Sequence, residues 1–165
     1  MSLERRLFLA ALAGGGVAAV LAAARAAATT ATTEHFEFTL TDDEWRKRLS
    51  PQAYAVLRHE ATETPFTSPL NEEHRAGTFT CAGCALALFS STTKFDSGTG
   101  WPSFWQPLAN AVGERKDDTL GMSRTEVHCR RCGGHLGHVF EDGPKPTGLR
   151  YCMNGVALAF TPQKT

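Results

Sequence analysis

The first 80 residues contain no cysteine, and all five cysteines of the 165-residue chain lie at or beyond Cys81. That absence argues against a lipoprotein anchor near the amino terminus. An excess of charge of either sign is also missing: 17 basic residues balance 17 acidic ones. Strong electrostatic attachment to nucleic acid is therefore not expected. No internal repeat is visible and, past residue 28, no low-complexity tract, so the length suits one domain.

What the first 28 residues do hold is the pattern of an export signal. Arg5 and Arg6 precede an apolar stretch from Leu7 to Ala24 that is only weakly hydrophobic, being rich in alanine and glycine. Small-residue cleavage patterns follow at Ala24-Arg25-Ala26 and Ala26-Ala27-Ala28. With Phe8 and Leu9 next in line, the paired arginines resemble a twin-arginine signal, although Glu4 stands where a small hydroxyl residue is usual. The expectation is a cleaved signal over residues 1–28, export to the periplasm, and one domain over residues 29–165. An ordinary secretory signal and a retained anchor are the alternatives, since the apolar run is barely long enough to span a membrane. Cleavage would remove Arg5, Arg6, Arg25 and Glu4, leaving two more acidic than basic residues.

Downstream, Phe36, Phe38 and Leu40 alternate with polar residues, the period of a half-buried strand or an extended lead-in segment. "TDDE" from Thr41 is a capping box, predicting a helix over Asp42 to Leu49. Ser50-Pro51 starts a second helix, running to about Glu60 with Tyr54, Val56 and Leu57 buried. A proline-bearing loop follows. From Thr78 the pattern turns to short β segments broken by glycine, predicted at 78–81, 86–90, 119–122, 125–128, 135–140, 149–153 and 156–160. The fold class is mainly β (α+β), with short N-terminal helices on an antiparallel β domain.

Cys81-Ala-Gly-Cys84 and Cys129-Arg-Arg-Cys132 each present two thiolates across a tight turn. Brought together, they supply the four sulfurs of a structural zinc site. Disulfides are the alternative in an oxidising compartment, although a bridge within Cys-x-x-Cys closes a very short loop and is redox-labile.

The fifth cysteine lies in "LRYCMNG". On a strand, Arg150, Cys152 and Asn154 share one face and Tyr151 and Met153 the other. A guanidinium beside a thiol favours the thiolate, and an amide can hold an oxygen; a buried structural cysteine is the plainer alternative. His135 and His138 in "GGHLGHVF" are three apart, which on a flat strand puts them on opposite faces, unless a bulge at Gly137 realigns them as an acid/base pair. Trp101 in "SGTGWPSFW" either floors a pocket or plugs the core.

Together, "CAGC", "KFDSGTGWPSF", "CRRCGGHLGHVFEDGP" and "RYCMN" resemble the B-type peptide methionine-R-sulfoxide reductases, over about residues 36–161. The resemblance implies two antiparallel sheets, one structural zinc ion on Cys81, Cys84, Cys129 and Cys132, and Cys152 as the nucleophile that attacks the sulfoxide sulfur. It further implies His138 in protonating the oxygen with His135 positioning it, Arg150 and Asn154 orienting the site and tuning the thiol, and Trp101 cradling the substrate methyl. The substrates would be oxidised proteins or peptides, acted on by a monomer. One departure bears on mechanism: many members carry a resolving cysteine where this chain has Thr99. With four cysteines committed to metal, the Cys152 sulfenic acid is expected to need an external reductant, a thioredoxin-like protein or a small dithiol. A zinc-knuckle binding module, favoured by Arg130 and Arg131, and a thiol peroxidase are the competing functions.

Overall fold

A computed structural model describes residues 34–164; the predicted export signal lies outside them. Among the described residues no helix is long and apolar enough to cross a membrane. Helix α1 (Asp42–Arg48) begins as expected: the Glu44 carboxylate accepts from the Thr41 N–H at 2.8 Å, while Thr41 Oγ1 accepts from the Glu44 N–H. Helix α2 (Pro51–His59) follows, with Ser50 Oγ accepting from the Ala53 N–H. It buries Tyr54, Val56 and Leu57.

The remaining chain forms short strands: β1 (Gly77–Cys81), β2 (Ala87–Ser90), β3 (Lys94–Phe95), β4 (Ser103–Phe104), β5 (Val112–Asp117), β6 (Arg124–Cys129), β7 (His135–Phe140), β8 (Arg150–Met153) and β9 (Leu158–Pro162). They make two sheets, ordered β2-β1-β9 and β3-β4-β8-β7-β6-β5, and every pairing is antiparallel. Aromatic rings join the sheets. Phe89 of β2 stacks on Phe104 of β4 with centroids 4.3 Å apart, and Phe79 of β1 meets the same ring edge-on at 4.9 Å. All three are fully buried, each contributing about 2–3 kcal/mol through apolar burial.

Four expectations are corrected. Residues 119–121 form a 3-10 turn rather than a strand. Strand β5 was not anticipated, because "VGERKD" is an edge strand whose central residues are exposed and charged and so carries no apolar alternation. The last strand begins at Leu158, not Val156, because Gly155–Ala157 turn as a 3-10 segment first. The Phe36 to Leu40 segment is neither a strand nor fully extended: it bends at Glu37 and Phe38 and is tied down by a hydrogen bond from the Phe38 N–H to the Arg131 carbonyl.

Candidate active site

Strand β8 presents its residues as the alternation requires. Tyr151 and Met153 are buried, while Cys152 is half-buried and directly opposite His138 on β7 and Ser103 on β4. The β7–β8 approach depends on Gly137: a Cβ there would lie 2.1 Å from the Cys152 carbonyl oxygen. The predicted bulge is present one residue earlier. Gly137 pairs with Val127 but His135 pairs with His128, so Leu136 is the extra residue. The bulge brings both histidines to one side, their ring centroids 5.4 Å apart.

The two rings have different surroundings. His138 Nε2 is 2.8 Å from Asp117 Oδ2 on β5. Hydrogen bonds from the Thr119 hydroxyl and N–H, then from His138, hold the Asp117 carboxyl far below the usual range. An ionised Asp117 can only accept, so Nε2 carries the proton and Nδ1 is left as an acceptor. Burial depresses the His138 pKa, more than Asp117 raises it, so the ring is neutral at neutral pH. His135 Nδ1 is 2.7 Å from Glu126 Oε1, in a pair that Arg115 closes from the other side. Burial pushes the Glu126 carboxyl up, but His135 and Arg115 hold it below the usual range.

Beside Cys152 lies a cavity of about 110 Å³ lined by Trp101, His138, Phe140, Cys152 and Asn154, together with Arg124 and Thr62. Trp101 is thus a pocket wall rather than a core plug. His135 does not line this cavity; it faces a separate polar one of about 410 Å³ that His138 and Arg124 also border. Arg150 does not line the cavity; its guanidinium is 4.4 Å from the ring centroid of Phe140 and is paired to both carboxylate oxygens of Asp142 at 2.8 and 2.9 Å. Asn154 is committed to the fold: Oδ1 accepts from the Glu63 N–H and Nδ2 donates to the Leu136 carbonyl.

Glu63, Asp117, Glu126 and Asp142 were not anticipated from sequence. Glu63 is the hub: buried, it accepts the Trp101 indole N–H at its carbonyl and the Gly155 N–H at its carboxylate, while giving its own N–H to Asn154. Nothing in its proline-broken loop signals this. Asp142 was the more accessible of the four, since it sits within the quoted "FEDGP" turn.

The state of the thiol also departs from expectation. Burial pushes the Cys152 thiol up, and the Thr99 hydroxyl and the Arg150 charge only partly offset it. Arg150 does favour the thiolate, but the low-dielectric surroundings outweigh it. Cys152 therefore rests as a thiol. Thr99 Oγ1 is 3.8 Å from the Cys152 sulfur and ends a hydroxyl chain through Ser97 to Ser103, each link 2.8 Å.

The other four cysteines converge. Cys81, Cys84, Cys129 and Cys132 are buried with their sulfurs all within 4.8 Å of one another. Cys81 and Cys132 are 3.7 Å apart and Cys84 and Cys129 3.5 Å, too far for disulfides and close to the sulfur spacing of about 3.8 Å that four 2.3 Å zinc–sulfur bonds give in a tetrahedron. Three guanidinium groups bind the surrounding carbonyls: Arg48 to Gly83, Arg131 to Cys84 and Arg58 to Cys132. They set positive charge beside a cluster whose four thiolates would leave a divalent ion net negative. This use of Arg131 removes half of the basic pair that favoured a binding module.

A profile of the SelR domain matches residues 49–162. The chain is 57% identical over 124 residues to the peptide methionine sulfoxide reductase MsrB of Bradyrhizobium diazoefficiens, covering 74% of this chain and 89% of that one. This chain belongs to the MsrB family. The MsrB proteins of Leptospira interrogans and Thiobacillus denitrificans are 51% identical over 127 residues and 56% identical over 124. Those matches cover 76% and 74% of this chain, and 97% and 94% of the respective MsrB relatives.

Proposed function

We propose that this MsrB-family chain reduces methionine-R-sulfoxide in oxidised peptides, with Cys152 as nucleophile. The observation that carries the proposal is the direct cross-strand pairing of Cys152 with His138 beside a cavity walled by Trp101. The sulfoxide methyl packs on the Trp101 ring while the oxygen lies toward the polar side, which selects one configuration at sulfur. The Cys152 sulfur attacks the sulfoxide sulfur; its proton passes to Nδ1 of neutral His138 and on to the sulfoxide oxygen. Asp117 holds Nε2–H through this relay and so keeps Nδ1 free for it. The hydroxyl then passes from the methionine sulfur to the Cys152 sulfur as the transient sulfur–sulfur bond breaks, so methionine leaves reduced by two electrons and Cys152, oxidised by two, carries the hydroxyl as a sulfenic acid. His135 positions His138, and Arg150 and Asn154 hold the β8 end of the site.

Cys81, Cys84, Cys129 and Cys132 would hold one zinc ion, which supplies structural cross-linking and no chemistry. Because Thr99 stands where many members carry a resolving cysteine, an external thiol, on a thioredoxin-like protein or a small dithiol, reduces the sulfenic acid. Export of a monomer to the periplasm by a twin-arginine signal completes the proposal. Zinc would then bind before export, in a compartment that keeps the four thiols reduced.

The purified protein, supplied with a dithiol, is expected to consume methionine-R-sulfoxide in a peptide and leave the S form untouched. Equal turnover of both forms, or turnover of hydrogen peroxide with neither sulfoxide consumed, would overturn the proposal.

A further inference from the structure

The catalytic cavity, at about 110 Å³, has room for the end of one side chain. The rest of a peptide must lie elsewhere on the surface. Trp101 borders a second, larger groove of about 530 Å³, which runs along Phe66, Phe95 and Asp96. At its rim Phe66 is 73% exposed, the more exposed of two large apolar side chains left open among the described residues. A single exposed ring is not informative by itself; here it stands beside a groove that adjoins the pocket wall, in a constrained backbone.

This ring is held in place. Phe66 has φ of +65°, a conformation that disfavours bulky residues. Its N–H donates to the Gly100 carbonyl at 2.7 Å, and a Cβ on Gly100 would lie 2.8 Å from the ring. Gly100 directly precedes Trp101, so the strained Phe66 is fixed to the segment that carries the pocket wall. Backbone strain of this kind persists where the surroundings impose it, and it clusters at functional sites. The groove floor is braced as well: Asn71 Nδ2 donates to the same Gly100 carbonyl, and Lys94 Nζ to the Asn71 carbonyl. Strand β3, along the groove, is the edge of its sheet, so an extended chain can lie beside it.

We infer that this groove binds the peptide segment flanking the oxidised methionine, extended along β3, with Phe66 packed on an apolar neighbour of that residue. Glu72 and Asp96 in the lining are matched by His74 and Lys94, so the groove has no strong charge preference and the favoured segment is apolar. The inference rests on the sulfoxide reductase proposal and names the part of the substrate that proposal leaves unassigned.

Phe66→Gly and Phe66→Asn both suit a positive φ, so each removes the ring without adding strain. With a peptide carrying an apolar residue next to methionine-R-sulfoxide, kcat/KM is expected to fall by roughly tenfold or more, mostly in KM. With free methionine-R-sulfoxide it should stay within about twofold of the parent value. Unchanged peptide turnover, or an equal loss on both substrates, would overturn the groove. So would a loss seen only as a raised KM for a protein reductant, which would give the surface to the electron donor. A parent protein inactive on both substrates would instead bring down the underlying reaction, and the groove with it.

Discussion

Cys152→Ser is expected to lower kcat/KM for a methionine-R-sulfoxide peptide on the order of 10,000-fold or more, to the level of the uncatalysed background. A hydroxyl can neither attack the sulfoxide sulfur at neutral pH nor carry away the oxygen as a sulfenic acid. The loss should fall on the chemistry alone. Cys152 is half-buried and its partners Thr99, Ser103 and Arg150 are polar groups that a serine hydroxyl can also meet, so folding stability should change by only about 1 kcal/mol or less. Metal content should not change, because the four cluster cysteines are other residues. Thermal unfolding and metal analysis on the same preparation separate this outcome from a folding defect. Substantial activity in Cys152→Ser would move the nucleophile elsewhere and undo the role given to the β7–β8 pairing.

Metal removal is expected to have the second large effect, on stability. The cluster joins the end of β1 in one sheet to the end of β6 in the other. The arginine side chains of Arg48 and Arg58, from α1 and α2, reach the carbonyls around it. Four buried thiols without a cation would lose this cross-link and leave those arginine charges unmatched. Structural zinc contributes about 10–16 kcal/mol of apparent binding free energy in small zinc peptides, against roughly 5–15 kcal/mol for the whole stability of a domain. Even a net loss of about 5 kcal/mol corresponds to a fall in Tm of roughly 10–20 °C or more. A strong chelator, or Cys129→Ala, should therefore unfold the domain or depress its melting by that amount, with zinc restoring the chelated protein. An unchanged Tm in protein shown by elemental analysis to be metal-free would contradict the structural assignment.

The features legible in the sequence are those set by neighbours along the chain. Thr41 and Glu44 form their capping box within one turn, and Ser50-Pro51 carries its own cap and helix start. The two Cys-x-x-Cys turns state their chemistry by spacing, and the alternation around Cys152 gives the right face for Tyr151 and Met153. Gly137 hinted at the bulge that brings His135 and His138 together.

Less legible was whatever depends on distant segments. Strands β3 and β4 have two residues each, too few to show a period, and β5 hides its pairing behind exposed charges. Asp117, which sets the tautomer of His138, lies 21 residues from it, and Glu63 lies 91 residues from Asn154. The balance that sets the protonation of Cys152 is hidden for a related reason. Arg150 is visible two residues away, whereas the burial that raises the thiol pKa comes from the packing of other strands.

The most direct test is a single turnover on methionine-R-sulfoxide with no reductant present. One methionine should form per protein molecule, Cys152 should gain one oxygen and react with a sulfenic-acid trap, and no disulfide should appear. In Thr99→Cys, whose new thiol would sit where Thr99 Oγ1 now lies 3.8 Å from the Cys152 sulfur, the same turnover should end in a disulfide between the two. Methionine formed with Cys152 unmodified, or a disulfide from Cys152 to a cluster cysteine with loss of zinc in the parent chain, would contradict a sole reactive thiol restored from outside.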